Sequence, residues 1–237
     1  MKFYGIDGCR KGWFYVGIND TDQYEFGVIS AFEEILSITE NAKQVLVDIP
    51  VGLREEEPIE RLCDLEARKV LVSRRSSVFP PPSRLALEFN DYTEASRINF
   101  QYTGRKLSKQ SFAIAKKILA VDKFFILTGL QGKFREMHPE VCFWALNKFS
   151  PMKQNKKKYV GYNERRLLLA NYFPNTDKLI MEASSLFKRK DLAKDDILDA
   201  MVGAVCARFY PNLLSLPTSP ESDCKGLIME IVYPEVI

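Results

Sequence analysis

Apolar and polar positions begin the chain with a strand-like period. Residues 2–7, with Phe3, Tyr4 and Ile6 in an almost unbroken apolar run, predict a first strand, and Trp13 to Asn19 a second, joined through the turn residues Gly8 to Gly12. Asn19 to Gln23 reads as a tight turn into a third strand over 24–30. The period then lengthens: Phe32, Ile35, Leu36 and Ile38 fit one face of a helix, with Ser30 available as its cap. Gln44 to Asp48 returns to a short buried strand, closed by Pro50 and Gly52. Strands joined by tight turns, then a helix, then another apolar strand make an antiparallel meander followed by a crossover. Such a crossover adds its strand in parallel.

Beyond residue 54 the pattern is helical and broken by prolines. A charged helix is predicted over Pro58 to Val72, a second over Ser83 to Ser96 and a third over Ser108 to Phe125. Pro80-Pro81-Pro82 between the first two excludes both helix and central strand. Residues 54–125 are therefore expected as a helical insertion after the fourth strand, within a single domain spanning 1–237. Residues 133–137 form a fifth short strand, and His138-Pro139-Glu140 opens a helix with proline in its first turn. A basic loop over Lys153 to Tyr159 leads to a helix over Asn163 to Tyr172. The last helix, Asp195 to Ala207, is apolar except for acids at its start, and its Ala200, Gly203, Ala204 and Ala207 permit close packing on a sheet.

Composition adds boundaries. With 46% hydrophobic and 27% charged residues the chain is neither disordered nor fibrous. Its five cysteines are scattered without a C-x-x-C pair, so they read as free thiols of a reducing compartment. The opening residues carry no signal-peptide pattern and no apolar run reaches membrane-spanning length, so a cytoplasmic protein without a membrane partner is expected. The net charge is only +3, but residues 68–84, 95–121 and 141–163 hold nearly half of the 34 basic residues and no acid. That segregation suits a phosphate-rich partner such as nucleic acid. Arg74, Arg75, Lys156, Lys157 and Lys158 are the candidate phosphate contacts.

The acids carry the chemistry. Asp7 lies within a strand, where an ionised carboxylate is unfavourable unless something pairs with it. Asp48 and Glu136 end two other strands, and Asp196 and Asp199 share a face at the start of the last helix. Parallel strands present their C-terminal ends on one rim, where open α/β sheets bind ligands. Acids gathered there repel one another until cations neutralise them, which points to Mg2+ or Mn2+, with two ions able to activate water and stabilise a leaving oxygen. Asp195, Asp196 and Asp199 also suit helix capping, and His138 suits the start of its helix better than proton transfer.

The motifs Gly5-Ile6-Asp7-Gly8-Cys9-Arg10-x-Gly12-Trp13, Val47-Asp48-Ile49-Pro50-x-Gly52-Leu53, Ser76-Ser77-Val78-Phe79-Pro80, Glu136-x-His138-Pro139-Glu140-x-x-Phe143-Trp144 and Asp196-x-x-Asp199-Ala200 resemble the DUF 429 family, described as nucleases of ribonuclease-H-like fold. The resemblance implies a mixed five-stranded sheet of order 3-2-1-4-5 flanked by helices. It also implies metal binding by Asp7, Asp48 and Asp196/Asp199, with Glu136 supplementing the catalytic acids and Arg10 and Ser77 joining the substrate contacts. The expected activity is metal-dependent hydrolysis of phosphodiester bonds in DNA or RNA. Two alternatives are a catalytically silent nucleic-acid- or protein-binding member of the fold and an ATP-dependent phosphotransferase of the sugar-kinase and actin group. The latter needs two lobes, for which 237 residues are too few.

Overall fold

The N-terminal alternation folds as a meander: β1 (Lys2–Cys9), β2 (Gly12–Asn19) and β3 (Tyr24–Ile29) pair antiparallel in sequence. The computed structural model describes residues 1–236 of the chain. A 3-10 turn at Phe32–Glu34 and the short α1 (Ile35–Ile38) cross to β4 (Ala42–Asp48), which adds to β1 in parallel. The cap expected from Ser30 is replaced. Ala31 holds the cap position, and the Glu34 carboxylate accepts the Ser30 and Ala31 N–H groups at 3.1 and 2.7 Å.

Between β4 and the next strand lie α2 (Leu62–Leu71), α3 (Tyr92–Thr103), α4 (Lys109–Ala113) and α5 (Ala115–Thr128). The helical character matches expectation and the boundaries do not. α2 starts at Leu62 because Arg61 is extended and its guanidinium bonds to the Val51 and Gly52 carbonyls. Ser83 caps only a 3-10 turn over Arg84–Glu88; α3 begins later, where the Asp91 side chain accepts the Glu94 N–H at 3.0 Å. Ser108, the expected start of the third helix, caps α4 by accepting the Ser111 N–H, but Ile114 leaves helical geometry and divides α4 from α5.

β5 (Phe134–Glu136) then joins β4 in parallel, completing the sheet order β3-β2-β1-β4-β5. α6 (Pro139–Leu146), α7 (Tyr159–Tyr172), α8 (Thr176–Leu186) and α9 (Lys194–Ala207) follow. An antiparallel pair, β6 (Leu213–Ser222) and β7 (Ile228–Pro234), closes the described chain beside β5, where Arg135 pairs with Glu230 at 2.7 Å. Neither α8 nor this pair is anticipated from the sequence pattern. Pro217 and Pro220 interrupt β6, as they can in a strand outside a central position.

Strand parity assigns the two faces of the sheet. Phe3, Phe14, Val16 and Leu46 belong to the apolar layer under α6 to α9, while Tyr4, Ile6, Val45, Val47 and Phe134 belong to the layer under α1 and α5. α9 lies unusually close to β1. A Cβ on Gly5 would sit 2.0 Å from the Ala200 carbonyl oxygen and 2.3 Å from the Ala204 nitrogen. Gly203 faces it, with the Gly5 Cα only 3.0 Å from where its own Cβ would be. The small residues of the last helix thus do what their spacing predicts, and they fix the position of Asp199 over the sheet.

Candidate metal centre

Asp7 shares the parity of Phe3 and Gly5, and Asp48 that of Leu46, so both carboxylates project on the α9 side. The parallel register sets Asp7 directly beside Asp48. Asp199 descends from α9, whose approach through Gly5 brings it to the same rim. One carboxylate oxygen from each of the three lies within 4.8 Å of the others. Asp7 and Asp199 are 8% and 3% exposed, and Asp48 is half-buried.

This cluster is short of internal counter-charge. Neither Asp7 nor Asp48 forms an ion pair among the described residues, whereas Lys156 Nζ donates to Asp199 Oδ2. Asp199 Oδ1 is buried with no hydrogen-bond partner. Burial first, then the neighbouring charges of Asp48 and Asp199, push the Asp7 carboxyl well above its ordinary range; burial and Asp199 do the same to Asp48. Burial also raises Asp199, against the pull of Lys156. Lys156 would be lowered by its own burial, yet the facing acids, Asp199 foremost, raise it. Three hard oxygen donors, one of them orphaned, held within the span of one coordination sphere fit a small divalent cation.

The remaining acids have other work. Asp196 accepts the Ala193 N–H at 3.0 Å and caps its own helix; burial still raises it to about 6. Glu136 shares the parity of Phe134 and Val47, which turns it to the opposite face from Asp48. There it takes two 2.8 Å bonds from the fully buried Arg61 and one of 2.6 Å from Val51 N–H. Burial nevertheless raises it to about 7. Arg61 also grips Asp64 at 2.7 and 2.9 Å. The sequence reading missed Arg61 and Asp64, since an arginine among the many charges of residues 54–61 carries no sign of burial.

A cleft of about 490 Å³ opens over this rim, with Asp7, Asp48, Glu136, His138 and Lys156 in its wall. Asp199 does not reach the wall; its partner Lys156 does. Of the expected phosphate contacts, Arg74, Ser77 and Lys157 line the cleft, while Arg10, Arg75 and Lys158 are exposed outside it. Lys156 is committed to Asp199 and is not a free backbone contact. Lys117 enters unexpectedly, donating to the Gly12 carbonyl at 2.5 Å and lying 4.7 Å from the Trp13 ring centre. His138 Nε2 lies 3.3 Å from the Ser77 carbonyl, and burial lowers its basicity.

The acid-free stretches are not spatially acid-free. Arg68 and Arg105 both pair with Glu60, and Arg84 is enclosed by Asp122, Asp223 and Glu55. Segregation along the chain is partly undone by folding.

Fold and site together define an α/β chain with a buried carboxylate cluster at the C-terminal rim of its parallel strands. The family model described as "Protein of unknown function (DUF429)" matches residues 5–222, and the chain belongs to that family. No curated protein and no solved structure matches it. No helix among the described residues is long and apolar enough to cross a membrane.

Proposed function

We propose that the protein is a Mg2+- or Mn2+-dependent hydrolase of phosphodiester bonds, with nucleic acid as substrate. The observation that carries this reading is the convergence of Asp7, Asp48 and Asp199 beneath an open cleft, with Asp199 Oδ1 buried and unpartnered. A divalent ion bound there supplies an activated water and a positive charge for the reacting phosphate. Asp7 and Asp48 hold and orient that ion from adjacent strands, and Asp199 closes the site from the helix side. Arg74 and Lys157 on the cleft wall face incoming phosphate groups, so binding weakens steeply with salt. Five unpaired cysteines suit a cytoplasmic setting.

The test uses labelled single- and double-stranded DNA and RNA with Mg2+, Mn2+ or EDTA. Cleavage by the wild type that needs metal and disappears in D7N and D199N supports the reading. Cleavage that survives both substitutions, or wild-type protein that cuts none of the substrates with either metal, overturns it.

A further inference from the structure

We propose that the centre takes a single divalent ion and that the Lys156 ammonium is its second, built-in positive charge. This rests on the metal reading above and refines the two-ion expectation from the sequence.

The placement of Lys156 is constructed. The Glu164 carboxylate accepts the N–H groups of Lys153 and Gln154 at 2.9 and 3.0 Å. Arg165, 0% exposed, holds the Gln154 and Gly161 carbonyls at 3.0 and 2.7 Å while forking onto Glu140 at 2.7 Å. On the other side, the Asn155 carbonyl accepts Lys158 N–H at 2.9 Å. The same carbonyl oxygen lies 2.1 Å from where a Cβ on Gly161 would be, so only glycine lets α7 come so near. The backbone is therefore pinned on both sides of Lys156. A lysine side chain loses considerable rotamer freedom when held in one geometry, and isolated surface pairs gain little from it. A braced loop that delivers one ammonium to a buried carboxylate is a different case.

Charge and ligand supply agree. Three ionised carboxylates and one ammonium leave a deficit that one divalent ion neutralises. A second ion needs further free carboxylate oxygens, and the neighbours are engaged in whole or in part: Asp64 and Glu136 by Arg61, Glu140 by Arg165, and one oxygen of Asp196 by Ala193 N–H, the whole of Asp196 lying outside the three-carboxylate cluster. Asp195, the other acid lining the cleft, falls outside the three-carboxylate cluster. In the loaded site Lys156 forms no covalent bond and releases no proton. It stays on Asp199, presenting its charge to the cleft where a second ion would otherwise meet the phosphate.

Ion stoichiometry tests this. Equilibrium dialysis with Mn2+ is run on the wild type, K156M, K156R and the exposed-residue control K153M. One ion per chain in the wild type, K156R and K153M, with a second gained in K156M, is the expected result. Two ions in the wild type, or one in K156M with merely tighter binding, overturns the proposal; the latter makes Lys156 a competitor. No ion in any of the four overturns the metal reading itself. Should K156M fail to fold, electron paramagnetic resonance of Mn2+-saturated wild type decides: the hyperfine pattern of isolated ions supports the proposal, and a spin-coupled pair overturns it.

Discussion

Two groups of buried carboxylates stand at the ends of adjacent parallel strands, and they are treated in opposite ways. On β5, Glu136 meets a fully buried arginine whose guanidinium also holds Asp64 and two backbone carbonyls, so the charges are enclosed and paired. On β1 and β4, Asp7 and Asp48 stand side by side without an ion pair, and Asp199 shares one lysine with the whole cluster. Parity alone divides them, Glu136 falling on one face of the sheet and Asp48 on the other. The first group stabilises the fold from within. The second is left without counter-charge on Asp7 and Asp48, and the proposed metal ion would supply it.

The largest expected effect falls on the paired group. Arg61→Met strands the Asp64 and Glu136 carboxylates in the interior, and breaking such a pair from one side costs about 3–5 kcal/mol. Urea denaturation should show this loss while the affinity for Mn2+, where the variant remains folded, is unchanged. Asp7→Asn reverses the pattern. Metal-dependent cleavage should fall about 100-fold or more, since even groups behind metal ligands matter at about 10–100-fold. The metal-free melting temperature should hold or rise, because one of three repelling charges is gone. A melting loss in D7N as large as that of R61M would erase the distinction.

Gly5→Ala probes how the two elements of the second group are held together. Its methyl meets backbone atoms of Ala200 and Ala204 at 2.0 and 2.3 Å, so α9 must shift. Overpacking of this kind typically costs about 1–3 kcal/mol, and here it should also weaken Mn2+ binding by moving Asp199.

The smallest effect is a slope with pH. Asp7 and Asp48 have folded-state values well above the ordinary 3.8, and Asp196 reaches about 6. Such groups stabilise the fold fully below about 3.8 and lose that contribution as pH rises through their folded values. The metal-free protein should therefore lose melting temperature between about pH 4 and 7, and saturating Mg2+ should flatten the slope. His138, lowered by burial, works against this trend, because its stabilisation is lost as pH falls through the ordinary 6.5. H138Q should accordingly steepen the metal-free slope, checked by calorimetry across the same range.

Much of the site was legible from local pattern. A carboxylate inside the apolar run before Gly8 announces Asp7, and a meander with one crossover sets Asp48 beside it. The small residues at 200, 203 and 204 announce the helix that carries Asp199. The choice between Asp196 and Asp199 was not legible, because both share a helix face and only the chain's path at Ala193 turns Asp196 into a cap. Lys156 looked like one more charge in a basic loop, since the carboxylate it meets, Asp199, lies on a helix 43 residues further along the chain. The β6–β7 pair escaped notice because prolines break the alternation on which strand recognition depends.

Diffraction from crystals soaked in Mn2+, recorded for its anomalous signal, tests the central claim most directly. An anomalous peak bonded to carboxylate oxygens of Asp7, Asp48 and Asp199, with the Lys156 ammonium still on Asp199, is the result expected. Crystals that take up Mn2+ only elsewhere, leaving the three carboxylates to Lys156 alone, would contradict it.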